Sequence, residues 1–234
     1  MRHSRIARRW CLVLVLAALV GYTGCGGGST SRGGGAGASA GAVRWLKGKV
    51  TLHRGAQDLA VDASASVPVQ NGDTLETGPD SEAVITAGKK VQVLAEKTQL
   101  KIDALVEGTN AGTHDRVSLL RGLATFFLPA HQQGYQFEAM TSTVAAAVKG
   151  TIFSLEAGDT GVRATVIRGE VALLPVDAGG ATGATPLATL TADQRASVSN
   201  GEVKREAVSA AESSSLKSDL LLKKEQLQID VTTM

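Results

Sequence analysis

Cysteine and aromatic residues are both scarce in this chain of 234 residues, with two cysteines and aromatics at only 3%. Cys11 lies inside an N-terminal apolar run and Cys25 just beyond it, so a chain cut at Cys25 keeps one thiol and has no intrachain disulfide. Such a domain must be held by burial alone, with a core of valine, leucine, isoleucine and alanine. Few rings also argue against a sugar-stacking surface. The strongly apolar run from Trp10 to Val20 is short of the roughly 20 residues that span a bilayer. Histidines His3, His53, His114 and His131 are dispersed, with no pair at metal-ligand spacing. There is no Gly-x-Ser-x-Gly elbow. Gly88-Lys89 lacks the leading glycine of a phosphate loop, where Ala83 stands, and has Lys90 where serine or threonine would hold magnesium. No catalytic, cofactor or metal residue is therefore assigned. Asp73 and Glu76, in a turn-strand-turn, are expected to cap backbone donors rather than do acid-base work.

The chain also has little net charge. The formal +2 and pI of 8.6 rest on Arg2, Arg5, Arg8 and Arg9. These precede the apolar run as the basic region of an export signal precedes its hydrophobic one. Removing residues 1–24 leaves 20 basic against 22 acidic residues, a net −2, so a nucleic-acid partner is not expected. Tyr22-Thr23-Gly24-Cys25 resembles a lipobox, with Tyr22 where leucine is usual, and the resemblance implies lipidation of Cys25 and attachment to a membrane. A secretory signal without lipid and an uncleaved anchor are the alternatives. Arg8-Arg9 resembles a twin-arginine signal weakly, which leaves the export route open. Residues 26–42 are glycine, serine and alanine with little else, have no face to bury, and span roughly 20–25 Å as a flexible coil. Gly26 beside Cys25 leaves an outer-membrane destination open.

What is present is a run of turns and short apolar alternations. Asn71-Gly72 supplies the positive φ of a tight turn, Gly78-Pro79-Asp80 a second turn, and Thr74 to Thr77 the strand between them. The stretch Asn71 to Ile85 resembles the central motif of the FecR domain. Val43 to Gly55 is similar to that family's opening strand, Val117 to Phe127 to a later one, and Lys149-Gly150-Thr151-Ile152-Phe153 to its Arg/Lys-Gly-Thr-x-Phe signature. Val166-Ile167-Arg168-Gly169-Glu170-Val171 is similar to its "Gly-x-Val" strand. Two departures stand out. Proline is missing from Thr141 to Thr143, and Asp193-Gln194 stands where a glycine-glutamine pair is usual.

Alternation at Val50/Leu52, Val91/Val93, Leu100/Ile102, Phe137/Ala139, Val162/Ala164/Val166 and Val171/Leu173 reads as all-β. With no helices between strands to cover a parallel sheet, it predicts a two-sheet sandwich or rolled domain of short antiparallel strands, followed by a C-terminal helix. A β-solenoid is the alternative, because Arg-Gly recurs at 54–55, 121–122 and 168–169, though at spacings too unequal for a strict repeat. The expected organisation is a lipoprotein signal over 1–24, a tether over 25–42, the β-domain over 43–203, and an amphipathic helix and tail over 204–234. The helix is expected from Ala207 to Asp230. Leu216 and Leu220, one turn apart, are its candidate partner contacts, with packing on its own domain as the alternative.

The resemblance implies signalling, since FecR-type regulators sense a loaded receptor with an exported domain. About nine residues precede the apolar run, so no cytoplasmic effector is expected here. The sequence is read as a non-enzymatic envelope protein that contacts another protein in cell-surface signalling or assembly. A module binding peptidoglycan or polysaccharide is the alternative.

Overall fold

A computed structural model describes residues 39–62, 65–108, 112–129, 134–148 and 150–227. Seventeen strands and one helix are arranged as two layers that share a single long strand. Chain order explains how. β1 (Gly41–Lys47) enters one layer, β2 (Val50–Arg54) and β3 (Gln57–Ala60) form a hairpin in the other, and β4 (Ser66–Val69) returns to the first. β5 (Thr74–Thr77) joins β2, after which β6 (Glu82–Ala87) and β7 (Lys90–Leu94) pair in the first layer and β8 (Gln99–Ala104) pairs in the second. The strand predicted at Thr74 to Thr77 is thus β5, with Gly72 at φ +96° before it and Asp80 at φ +51° after it.

β9 (His114–Phe127) is the shared strand. Its first half lies between β8 and β10 (Gln136–Met140), and its second half lies between β7 and β12 (Ile152–Gly158). The crossing falls at Gly122, where φ is +88° and any Cβ would stand 2.5 Å from Thr98 Cα. Only glycine fits that corner. The remaining strands alternate as hairpins: β10 with β11 (Val144–Val148), β12 with β13 (Gly161–Arg168), β14 (Glu170–Pro175) with β15 (Ala188–Thr191), and β16 (Gln194–Ser199) with β17 (Glu202–Ala207). The first layer therefore runs β4-β1-β6-β7-β9-β12-β13-β16-β17 and the second β3-β2-β5-β8-β9-β10-β11-β14-β15.

The all-β, two-layer class expected from the alternation is observed. Two details differ from an arrangement of short antiparallel strands: β9 is 14 residues long, and β9 and β10 are parallel. The Arg-Gly pairs mark changes of direction rather than a solenoid period. Gly55, Gly122 and Gly169 all have positive φ, at the β2–β3 turn, the β9 corner and the β13–β14 junction.

The inward faces of both layers merge into one core. Phe126 and Phe153 of the first layer stack at 4.8 Å between centroids, and Phe137 of the second tilts against Phe126 at 5.6 Å. Three buried rings at about 1.5–3 kcal/mol each, plus about 0.5–1.5 kcal/mol per ring pair, make this a principal staple between layers. Val50, Leu52, Leu100, Ile102, Val162, Val166, Val171 and Leu173 point into the same core, as their alternation predicts. Val91 and Val93 do not. The register sets Gln92 opposite Phe126 and Leu94 opposite Ala124, so the two valines lie on the other face and pack with Val84 and Phe127 in a second small cluster.

The reversed face of β7 has a consequence for charge. Lys90 and Asp115 are both fully buried, and their Nζ and Oδ2 atoms are 2.5 Å apart. Lys90 also donates to the carbonyls of Val106 and of Gly108, the latter at 3.0 Å, which uses all three ammonium protons. Asp115 accepts in turn from Tyr135 Oη (2.8 Å) and Val106 N (3.0 Å). Burial first, and then the Asp115 charge, hold the Tyr135 phenol well above its ordinary pKa. The network ties β7, β9 and the segment after β8 together.

Candidate functional site

The C-terminal segment after Gly201 first adds β17 and then forms α1 (Ala210–Leu227), which starts three residues later than the Ala207–Asp230 expected, while residues 228–230 of that expectation lie outside the described residues. Its start is written in Ser209-Ala210-Ala211-Glu212, which has the form of a capping box. Ser209 Oγ accepts from Glu212 N at 3.2 Å. Glu212 does not close the box in return, because its carboxylate pairs with Arg195 of β16.

The other fastenings converge on Asp193. Ser213 Oγ donates to Asp193 Oδ1 at 2.5 Å and Lys217 Nζ donates to the same atom at 2.9 Å. Together, first the hydroxyl and then the ammonium, they hold the Asp193 carboxyl below its ordinary range. Asp193 has φ +62°, and its backbone donates to Val166 O while accepting from Val208 N. This is the residue that stands in place of the usual glycine. Aspartate tolerates the left-handed conformation better than most side chains, so the turn survives, and its carboxylate becomes an anchor for α1.

All of these fastenings come from the cap and the first two turns of α1. Leu216, between Ser213 and Lys217, is half-buried, while Leu222 is 61% exposed. Leu220 lies in the same helix, but its side chain is outside the described residues. Cys25, the tether residues 26–38, His131 and Lys149 are outside them too. The Asp193–Arg195 clasp was not among the sequence-predicted contacts. The Ser-x-x-Glu box was the legible signal for it.

The outer side of the second layer and the turns beside it carry a further set of polar groups. Asp73, 2% exposed, accepts from Gln70 N at 2.8 Å and from Arg54 at 2.6 Å, the capping role expected of it. That bond to Asp73 is the first cause of the raised Arg54 pKa. Glu76 accepts from Arg121 at 2.9 Å, and His53 lies between Asp58 (2.7 Å) and Glu76 (3.6 Å). His114 opens β9, 3.6 Å from Glu138, which Arg116 engages through Nη2 at 2.8 Å and Nε at 2.9 Å. The two histidines sit in separate ion-pair groups. This face is a ladder of cross-strand pairs, each of small value to stability in water.

Comparison with known proteins gives one family. Residues 73–172 match the family described as FecR protein, so this stretch of the chain is a FecR domain. In the fold it holds the middle strands of both layers, from β5 into β14, and β1–β4 and β15–β17 add strands at the flanks. Two crystal structures of a candidate anti-sigma factor from Parabacteroides distasonis ATCC 8503 are similar, at 18% and 17% identity, with TM-scores of 0.47 and 0.48. Each alignment covers 62% of this chain and 64% or 63% of the other, so the chain spans less than two thirds of either relative. No curated protein matches.

Proposed function

We propose that the chain is an exported, lipid-tethered, non-enzymatic FecR-domain protein that works by contact with another envelope protein in signalling or assembly, with α1 as its docking element. The carrying observation is the fastening of α1 at its start: Glu212, Ser213 and Lys217 hold its first turns, and Leu222, a described side chain beyond them, is 61% exposed. A helix so held keeps a defined direction while leaving side chains for a partner, the helix-in-groove mode of recognition.

The position of the helix supports the same reading. The described chain enters through β1, next to one edge of the first layer, and α1 leaves from β17 at the opposite edge, seven strand spacings away or roughly 35 Å along the sheet. The test is affinity capture from solubilised envelope with the tethered chain and its Leu216→Asp, Leu220→Asp double variant. The expected result is loss of capture with little change in melting temperature. Retained capture, or a fall in stability that accounts for the loss, refutes α1 as the docking element. A hydrolytic activity abolished by one His→Ala change overturns the contact mechanism altogether.

A further inference from the structure

The β9 corner presents two leucines to solvent, Leu120 at 54% exposure and Leu123 at 38%, among the few large apolar side chains so exposed in the described β-domain. They are held there rather than left loose. Gly122 between them adopts φ +88° against Thr98, and Thr98 Oγ1 both donates to Leu123 O (3.1 Å) and accepts from Leu123 N (3.0 Å). A fixed corner that exposes leucine exposes apolar area without the entropy cost of ordering it on binding.

Leu120 forms one wall of an open cleft of about 450 Å³ at the strand ends of the C-terminal half, within the range of about 300–1,000 Å³ typical of binding cavities. The other apolar walls are the half-buried Pro175, Val176 and Leu187, with the edges of the core residues Val162 and Val198 at the floor. Among the described residues no aromatic lines it, so none of them stacks there on a sugar ring or a base. Its rim is hydroxyl and amide, from Thr143, Ser199 and Asn200, and its one ionisable lining residue among those described is Asp159, in the β12–β13 turn.

We infer that this cleft binds an extended protein segment that inserts an aliphatic side chain and carries basic residues beside it. The aliphatic walls fit the side chain, the rim offers hydrogen bonds to peptide backbone, and the single negative charge favours a cationic flank over an anionic one. The same lining opposes phosphate groups and acidic polymers. The cleft is formed without α1, so it is a contact separate from the one proposed above.

The experiment is a methyl NMR titration of the full chain in detergent micelles with the synthetic peptide Ser-Lys-Leu-Ile-Lys-Ser, its counterpart with glutamate in place of lysine, and a chitin tetrasaccharide. The expected result is saturable shifts of the Leu120, Val176 and Leu187 methyls with the lysine peptide, at least about threefold weaker binding of the glutamate peptide, and none with the sugar. Leu120→Asp should weaken binding about tenfold without changing the melting temperature, because the side chain is mostly in water. Asp159→Lys should reverse the preference between the two peptides. Absence of these shifts, equal binding of both peptides, or shifts produced by the tetrasaccharide overturns the inference. Repeating the titration on the Leu216→Asp, Leu220→Asp variant should change nothing, so failure of the cleft and failure of α1 are distinguishable.

Discussion

Replacing Lys90 by methionine tests the least expected feature of the core. The ammonium donates three hydrogen bonds from a position with no solvent exposure, so Lys90→Met leaves the Asp115 carboxylate buried without a cation and removes the donor from the Val106 and Gly108 carbonyls. Removing one partner of such a pair costs about 3–5 kcal/mol, a large fraction of the stability of an ordinary domain. Asp115→Asn should cost a similar amount, because the ammonium then lacks its counter-charge. The double variant, Lys90→Met with Asp115→Leu, should cost at least about 2 kcal/mol less than the sum of the two single changes, since it strands no charge. Tyr135 Oη and Val106 N still lose their acceptor, so the double variant should not be neutral. Urea unfolding of the four proteins, read as midpoint times slope, measures the cycle. Additive single costs, or single costs under about 1 kcal/mol, would refute the view that this pair is an electrostatically coupled core element.

Glycine positions separate strain from collision: Gly72→Val, at φ +96° with open space around it, should cost about 1–2 kcal/mol, whereas Gly122→Val should exceed about 3 kcal/mol because Thr98 blocks its Cβ, as urea unfolding would show. Acid should loosen α1. The Asp193 carboxyl is depressed in the folded chain, so its contribution is present above its ordinary pKa of 3.8 and is lost as pH falls through the lower folded value. The hydrogen-exchange protection of the first turns of α1, taken relative to the intrinsic rate at each pH, should therefore fall in that window in the parent protein but stay level in Asp193→Gly. Cys25→Ser should leave precursor uncut or release soluble protein, and palmitate labelling that survives the change would count against a lipid on Cys25.

The sequence made the strands legible where alternation coincides with burial on a single inner face. Leu100 and Ile102 or Val171 and Leu173 follow that rule, and the turn glycines mark its boundaries. It fails at β7, where both faces are covered. Val91 and Val93 look like the core-facing pair, yet the residues actually turned inward are Lys90, Gln92 and Leu94, and no local pattern announces that a lysine will find an aspartate 25 positions later. Partners at that separation are fixed by register, and register is set by pairings across the whole sheet. The corner of β9 was hidden for a related reason: Val117 to Phe127 reads as a single strand, which it is, and nothing local announces that it changes layers at Gly122.

The C-terminal site shows the reverse case, in which the residue noted as departing from the sequence resemblance, Asp193, holds the helix. A glycine at position 193 would satisfy the turn and nothing more, because it has no side chain to offer. Aspartate accepts the same positive φ at a modest cost in backbone energy and gains two charge-assisted or hydroxyl bonds to the first turns of α1. The matched FecR residues end at 172, so both the turn and the helix lie beyond them. If α1 served only to cover the sheet, apolar contacts along its length would suffice. Fastening it through polar bonds at its start fixes where the helix begins and in which direction it leaves β17.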